Sequence, residues 1–189
     1  CPNAPGGTEV TAPRPTISVV IPVLDDAFEL RHCLDLLARQ SQAPLEVIVV
    51  DNGSSDDSAQ VALAAGARVV VEPRRGIPHA AATGYDAAMG TIIARLDADS
   101  RPSFDWLARI SEAMTDERVA AISGTGRFHD LPWWVRGPAG LLYLGSYYAL
   151  TWSAIANTPL WGSSMAIRRD VWERVRDDVH RDADVHDDM

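Results

Sequence analysis

Residues 92–100 read Ile-Ile-Ala-Arg-Leu-Asp-Ala-Asp-Ser, an apolar and partly β-branched run that ends in two carboxylates. This pattern predicts a buried strand that delivers Asp97 and Asp99 to the edge of a sheet. In open α/β sheets, ligands bind beyond the carboxyl ends of the strands, and carboxylate oxygens there suit Mg²⁺ or Mn²⁺. Two acids in a solvated turn would give the same local pattern, so the neighbouring stretches must distinguish a metal site from a simple strand end.

The sequence around this run alternates between apolar stretches and amphipathic stretches at short spacing. Such a β-α-β-α-β order predicts an α/β fold with a parallel sheet, right-handed connections and flanking helices. Segment 73–78 is expected to be a loop, and Ser55 or Asp56 to cap the second helix. The predicted strands are 17–23, 45–50, 68–72, the run from 92, 119–123 and 160–167, and the predicted helices are 26–40, 58–65, 79–89, 103–114 and 170–176.

Acidic residues follow three of the predicted parallel strands. Asp25 and Asp26 come after the first strand, Asp51 after the second, and Asp97 and Asp99 after the fourth. Because the carboxyl ends of parallel strands share one edge of a sheet, we expect these acids to converge on one crevice. Asp51 could accept hydrogen bonds from a nucleotide base or ribose there, and a metal at Asp99 would lie over the diphosphate.

The composition is that of a globular protein with one domain. The chain has 189 residues, of which 47% are hydrophobic and 23% charged. Its net charge of -9 gives no support to nucleic-acid binding, and its two cysteines form neither a disulfide framework nor a metal cluster. Residues 1–15 are rich in Pro, Gly and Thr and lack the basic start and apolar block of a signal peptide. We therefore expect a disordered lead-in and a cytoplasmic location.

Residues 139–156 form an eighteen-residue stretch without a charge, which is close to the lower limit for a membrane span. Two glycines, three tyrosines, two serines and a threonine make it a poor span. We expect instead a helix that lies against the core or rests on a membrane surface. The second arrangement would place the protein at the inner face of the membrane as a peripheral protein.

Five motifs occur in order along the chain: Val-Val-Ile-Pro-Val-Leu-Asp-Asp (19–26), Val-Ile-Val-Val-Asp-Asn-Gly-Ser-Ser-Asp (47–56), Gly-Ile-Pro-His-Ala-Ala-Ala-Thr-Gly (76–84), Leu-Asp-Ala-Asp (96–99) and His-Asp-Asp (186–188). Together they resemble the inverting glycosyltransferases of family 2, which have the GT-A fold. The resemblance covers about residues 16–189 and implies a single domain with a mainly parallel, Rossmann-like sheet flanked by helices. Its donor-binding part would be about 16–100 and its acceptor-side part about 101–189.

The resemblance implies that the protein transfers a sugar, with inversion, from a nucleoside-diphosphate sugar to a hydroxyl acceptor. UDP is the expected nucleotide, although GDP and dTDP donors fit the same motifs, and Mn²⁺ or Mg²⁺ is the implied cofactor. Asp51 resembles the acid that holds the nucleobase, and Asp97 and Asp99 resemble the pair that serves ribose and metal. The full set of implied donor-site residues is Pro22, Val23, Asp26, Asp51, Gly76, Asp97, Ala98 and Asp99.

The late acidic motif implies the catalytic base. The family usually has Glu-Asp there, with the second acid as base, so Asp188 is expected to take the proton from the acceptor hydroxyl and Asp187 to lie beside it. Two solvated acids of a frayed terminus are the alternative. Trp161, Gly162 and Ser163 resemble the family's acceptor-side segment. The acceptor is expected to be a saccharide, a lipid-linked molecule or a small molecule.

The chain departs from the family pattern in two places. The family commonly has Ala-Arg-Asn-x-Gly where residues 80–84 are Ala-Ala-Ala-Thr-Gly, so the corresponding donor contact is absent or comes from Arg74, Arg75 or His79. The chain also stops at Met189, just after the expected base, which suggests a truncated core. A non-catalytic nucleotide-sugar-binding domain is therefore one alternative. A sugar-phosphate nucleotidylyltransferase is another, although the segment after the first strand lacks the glycine-rich, basic loop of that chemistry.

Overall fold

The structure, a computed structural model, describes residues 14–124 and 164–179. These residues form an α/β domain with a six-stranded sheet and helices on both faces. In chain order the elements are β1 (Ile17–Val23), α1 (Ala27–Leu37), β2 (Glu46–Asp51), α2 (Ser58–Ala64), β3 (Arg68–Val71), α3 (Ile77–Ala87), β4 (Ile92–Leu96), α4 (Trp106–Ala113), β5 (Ala121–Ser123), β6 (Ser164–Arg168) and α5 (Arg169–Val175).

The sheet is mainly parallel, as the alternation of strands and helices predicts. Its strand order is β3-β2-β1-β4-β6-β5, and β1 to β4 all run in the same direction. β6 is antiparallel to both β4 and β5, so the late strand lies between two earlier ones. In the parallel part, β1 lies between β2 and β4.

Side chains alternate between the two faces of the sheet and build two cores. On β4, Ile92, Ala94 and Leu96 join the core beneath α1, α2 and α4. Ile93 joins the other core, beneath α3 and α5. Strands that are covered on both faces are apolar at most positions, which explains the nearly continuous apolar runs in the sequence.

The elements follow the sequence prediction, with small differences at their ends. The third helix begins at Ile77 rather than at 79, and Pro78 lies in its first turn. Proline is tolerated there because the first N–H groups of a helix have no partner inside the helix. The strand expected at 119–123 is shorter, Ala121–Ser123, and the last strand includes Ser164–Arg168.

Helix α3 packs closely on β1 and β2 because one of its residues is a glycine. A Cβ atom built on Gly84 would collide with Cγ1 of Val20 and would lie 2.9 Å from Cγ2 of Val50. Both valines are fully buried, so neither can move into solvent. This close approach fixes the height of the helix above the sheet.

We expect Gly84→Ala to lower the free energy of unfolding by about 1–2 kcal/mol, since overpacking outweighs the gain in helix propensity. Denaturant unfolding of the purified chain would measure the difference. Met89→Ala is the control, because this side chain is 61% exposed two residues beyond the same helix. Equal stability of Gly84→Ala and the wild type would show that the helix can lift off the sheet at no cost.

Candidate functional site

The carboxyl ends of three parallel strands form one rim of the sheet. Val23, the last residue of β1, is in register with Asp51, the last residue of β2. On the other side β1 pairs in parallel with β4, which ends at Leu96, directly before Asp97. The structure thus places the acids that follow β1, β2 and β4 on the same edge, as expected from the sequence. Asp99 is exposed, whereas Ala98 between the two acids is buried.

The turn after β1 is tied to the loop after β2 by hydrogen bonds. Asp25 has a left-handed backbone conformation with φ of 52°, and its Oδ1 accepts hydrogen bonds from the backbone N–H and the hydroxyl of Ser55, at 2.6 and 3.0 Å. Asp56 Oδ2 accepts a hydrogen bond from the first N–H of α1, on Ala27, at 2.8 Å. Asp26 lies between these contacts, and its N–H donates to the hydroxyl of Ser58 at 3.2 Å.

Two of the acids, Asp25 and Asp56, are occupied by hydrogen bonds within the protein. The N–H and hydroxyl of Ser55 lower the pKa of Asp25, and hydrogen bonds from Ser58 and Ala27 lower the pKa of Asp56. Both carboxylates therefore stay ionised as part of the scaffold. The capping position of α2 is occupied by Asp57, without a side-chain capping hydrogen bond, so the expected cap at Ser55 or Asp56 is wrong. Asp56 accepts instead from the N–H of Ser58, the first residue of α2, and from the first N–H of α1.

Asp51 keeps its place through a short turn. Its Oδ1 accepts a hydrogen bond from the N–H of Ser54 at 2.9 Å, and the carboxylate is partly exposed at the rim. Pro22 and Val23, the last two residues of β1, lie beside Asp51. Val23 is buried and Pro22 is partly exposed. The rim next to Asp51 is thus formed by rigid strand backbone.

Asn52 connects the β2 loop to the loop that precedes α3. Its buried amide donates to the carbonyl oxygens of Glu72 and Arg74, at 2.9 and 2.7 Å, and its Oδ1 accepts from the N–H of Gly76 at 2.8 Å. Two carbonyl acceptors and one N–H donor fit only one orientation of the amide. Gly76, which has φ of 131° and immediately precedes α3, is held at the rim by this contact.

Glu72 is a buried carboxylate within the same loop. Burial raises its pKa, but hydrogen bonds from the hydroxyl of Thr83 and from the side chain and N–H of Arg74 outweigh this effect and lower the pKa from 4.5 to about 2. The charge of Glu72 is therefore satisfied by Arg74 and Thr83. Because Glu72 follows β3 and Thr83 lies on α3, these hydrogen bonds join the two elements.

Asp97 forms an ion pair with a residue of the strand that carries it. Nη2 of Arg95 lies 3.1 Å from Oδ1 of Asp97. Behind Asp97, the thiol of Cys33 points at its backbone carbonyl oxygen, with the sulfur 3.9 Å away. Burial, together with the charges of Asp99 and Asp97, raises the pKa of this thiol to about 12, so Cys33 is a neutral core residue.

The two rim acids after β4 have the donor chemistry for a divalent metal. Mg²⁺ sites commonly combine one or two carboxylates with substrate phosphates and water, and Mn²⁺ accepts the same oxygen ligands. Asp97 and Asp99, partly and largely exposed at the rim, fit a site of this kind. Within 14–124 and 164–179, no group of three or more His, Cys, Asp or Glu side chains is arranged to hold a metal by itself.

The alanines at 80–82 are buried against the sheet and carry no polar group toward the rim. Arg74, Arg75 and His79 are the candidates to supply the donor contact that these alanines lack. Arg74 is paired with Glu72 at 3.2 Å. Arg75 donates to the carbonyl oxygen of Gly53 at 3.3 Å, in the loop that follows Asp51. His79 has a buried Nδ1 with no hydrogen-bond partner in the described part of the chain.

The expected acceptor-side and catalytic residues lie outside the described residues. They are Trp161, Gly162 and Ser163 on the acceptor side and Asp187 and Asp188 as the catalytic acids. The uncharged segment 139–156 also lies outside them. Among the helices that are described, none is long and apolar enough to cross a membrane.

Sequence reasoning missed three polar residues that organise this rim: Asn52, Glu72 and Arg95. Arg95 had a signal, because a charged residue interrupts an otherwise apolar strand. Asn52 and Glu72 had none, since their partners depend on how two loops from different strands meet.

The sequence profile described as "Glycosyl transferase family 2" matches residues 18–176. Among curated relatives, the glycosyltransferase AglE of Haloferax volcanii is 33% identical over 125 residues, which are 62% of this chain and 38% of that protein. A PGL/p-HBAD biosynthesis glycosyltransferase of Mycobacterium tuberculosis is 34% identical over 123 residues, 62% of this chain and 45% of that protein. The matches span less than half the length of these relatives.

Solved structures with a similar fold include two glycosyltransferases with bound nucleotide and metal. The mannosyltransferase PcManGT from Pyrobaculum calidifontis, in complex with GDP-Man and Mn²⁺, has a TM-score of 0.68 and 27% identity over 90% of this chain and 50% of its own. Glucosyl-3-phosphoglycerate synthase from M. tuberculosis, in complex with Mn²⁺, UDP and glucosyl-3-phosphoglycerate, has a TM-score of 0.59 and 26% identity over 82% and 57%. The GT-A fold expected from the resemblance is confirmed.

We expect Glu72→Gln to lower the free energy of unfolding near neutral pH by roughly 1–3 kcal/mol, because the buried hydrogen bonds lose their charge. The folded-state pKa of Glu72 lies below the ordinary value of 4.5, so its contribution is present above pH 4.5 and is lost as the pH falls toward 2. The difference between the variant and the wild type should therefore shrink across that window.

Urea unfolding at several pH values between 2.5 and 7 would measure this difference. Glu112→Gln is the control, since Glu112 is an exposed acid on α4. A difference between wild type and Glu72→Gln that does not change with pH would contradict the assigned pKa.

Proposed function

Because the chain belongs to glycosyl transferase family 2, we propose that it transfers a sugar, with inversion, from a nucleoside-diphosphate sugar to a hydroxyl acceptor. The observation that carries this proposal is the convergence of Asp51, Asp97 and Asp99 on one edge of the parallel sheet. That is the edge at which open α/β sheets bind their ligands.

In this proposal the donor lies across the rim from β2 to β4. Asp51 binds the nucleobase, and Asp97 binds the ribose. Pro22, Val23, Asp26 and Gly76 form the wall of the crevice, together with the backbone at Ala98. This assignment is supported by the rigid backbone around Asp51 and by the hydrogen bonds that fix Gly76 at the rim. UDP is the favoured nucleotide, and GDP is the second candidate because PcManGT is similar to this chain and was solved with GDP-Man.

Asp99, with Asp97, would hold Mn²⁺ or Mg²⁺ beside the diphosphate. Such a metal stabilises the negative charge of the departing diphosphate. The solved relatives with Mn²⁺ support a divalent ion, and the oxygen ligands at the rim suit both metals. The chain's own part is to present two carboxylates from one short turn, which Ser100 closes with a hydrogen bond to the carbonyl of Asp97 at 3.0 Å.

For the transfer step we assign Asp188 as general base, with Asp187 beside it, and Trp161, Gly162 and Ser163 as acceptor-side residues. Inversion requires the acceptor oxygen to attack from the face opposite the diphosphate while a base takes its proton. The acceptor is a saccharide or a lipid-linked hydroxyl compound, and in the second case segment 139–156 would bring the protein to a membrane surface.

A donor-binding domain without transferase activity is a second candidate. One observation favours it: residues 80–82 are buried alanines, so α3 offers the donor no polar side chain from these positions. The two experiments below distinguish the candidates, since both predict donor binding and only one predicts transfer.

Calorimetric titration of UDP and GDP, with and without Mn²⁺, tests the donor site. We expect one nucleotide to bind more tightly with Mn²⁺, and Asp99→Ala to remove this gain, with a loss of about tenfold or more. Asp35→Ala is the matched control, because Asp35 is an exposed acid on α1. If neither nucleotide binds to folded wild-type protein, the proposed donor site is wrong.

Replacement of Asp188 by Asn tests the base. We expect donor binding to remain and transfer to fall by about 10²–10⁴-fold, the usual range for loss of a general base. Asp177→Asn, at an exposed position, serves as control. Transfer at the wild-type rate would exclude Asp188 as the base, and a wild type that binds donor but transfers to no acceptor would favour the non-catalytic candidate.

A further inference from the structure

Arg95 is a charged residue at a buried position of β4, where an apolar residue is expected. The other four residues of the strand are buried and apolar, and Arg95 itself is only 3% exposed. A guanidinium does not lose its proton in a protein, so it cannot avoid the cost of burial by becoming neutral. Because buried ion pairs often add no stability over apolar residues of similar volume, the core alone does not explain a charge here.

The strand holds Arg95 in a fixed place. Arg95 is in register with Val20 of β1 on one side and with Met165 of β6 on the other. The backbone at this position is therefore hydrogen-bonded within the sheet between two neighbouring strands. By alternation along β4, its side chain lies on the same face as that of Ile93, the face covered by α3 and α5.

Its charge is directed at the rim. Nη2 of Arg95 lies 3.1 Å from Oδ1 of Asp97, whose side chain is 35% exposed just beyond the end of the strand. The contact joins a side chain fixed in the sheet to one in the following turn. The contact is made to Oδ1 of Asp97.

The charge of the rim makes this contact useful for an anionic ligand. Seven aspartates lie at the end of β2 or in the loops that follow β1, β2 and β4, and a nucleoside diphosphate brings further negative charge. A permanent cation beneath the rim reduces the repulsion at the point where β4 ends. The seven are Asp25, Asp26, Asp51, Asp56, Asp57, Asp97 and Asp99.

We propose that Arg95 is a positioning residue for the donor: its guanidinium holds Oδ1 of Asp97, so that the second oxygen faces the ribose, and offsets the negative charge of the rim. This inference rests on the proposed function, because it assigns a role to Arg95 only if a nucleotide binds there. It adds to that function a residue behind the rim that sets donor affinity without touching the donor.

A purely structural ion pair would affect only the stability of the fold. In Arg95→Met, an apolar side chain of similar length replaces the buried charge, and any loss of stability appears as a lower Tm. With a purely structural role, the folded variant would bind nucleotide as tightly as the wild type does. A positioning role predicts that nucleotide binding falls all the same.

The test combines thermal unfolding with calorimetric titration of UDP and GDP, in Mn²⁺ and in EDTA, on the whole chain. We expect folded Arg95→Met to bind nucleotide about tenfold or more weakly, with the unfolding curve giving the folded fraction at the titration temperature. Arg95→Lys, which keeps the charge but not the planar geometry, should recover part of the loss. Arg68→Met is the matched control: it removes an arginine that pairs with Glu46 at 2.8 Å at the beginning of β3, at the opposite edge of the sheet.

Normal nucleotide binding in Arg95→Met would overturn the inference, and so would an equal loss in Arg68→Met or a loss explained by the unfolded fraction. In each of these cases donor binding by the wild type would still support the proposed function. If the wild type binds neither nucleotide, the proposed function fails and the inference fails with it.

Discussion

The parallel pairing of β1 with β2 on one side and β4 on the other is the constraint on which the rest of the structure depends. It places Asp51 level with the end of β1 and brings the turn after β4 to the same edge. Because these strands are covered on both faces, polar side chains have room mainly beyond their ends. The polar groups that could bind a ligand are therefore concentrated, within the described residues, on one rim, the proposed donor site.

The acids on this rim have different tasks. Asp25 accepts hydrogen bonds from the N–H and the hydroxyl of Ser55, and Asp56 accepts one from the N–H of Ala27. These hydrogen bonds hold the turn after β1 against the loop after β2. Asp51 uses one oxygen to fix its own turn and presents the carboxylate at the edge. A count of strand-end acids would overstate the number available to a ligand. The hydrogen bonds decide which carboxylates belong to the scaffold.

Two buried charged residues, Glu72 and Arg95, lie just behind the rim, and they differ in the partners that they bind. Glu72 is satisfied by Thr83 and Arg74 within its own loop, so its effect is to join β3 to α3. Arg95 pairs instead with Asp97, a side chain of the rim itself. Buried charges rarely add much stability compared with apolar residues of the same size. The placement of Arg95 beside Asp97 fits the proposed donor site better than a role in the core.

The sequence by itself determined the order of strands and helices along the chain, the edge of the sheet on which the acids converge and the family. These follow from apolar periodicity and strand-end motifs, which are local properties. It could not determine that β6 enters between β4 and β5, that Asp56 caps α1 as well as contacting α2, or that Asn52 binds three backbone groups 20 to 24 residues away. These features depend on strand register and on how loops from different strands meet. Only the tertiary structure decides such contacts, since the partners are far apart in the chain and carry no shared sequence pattern.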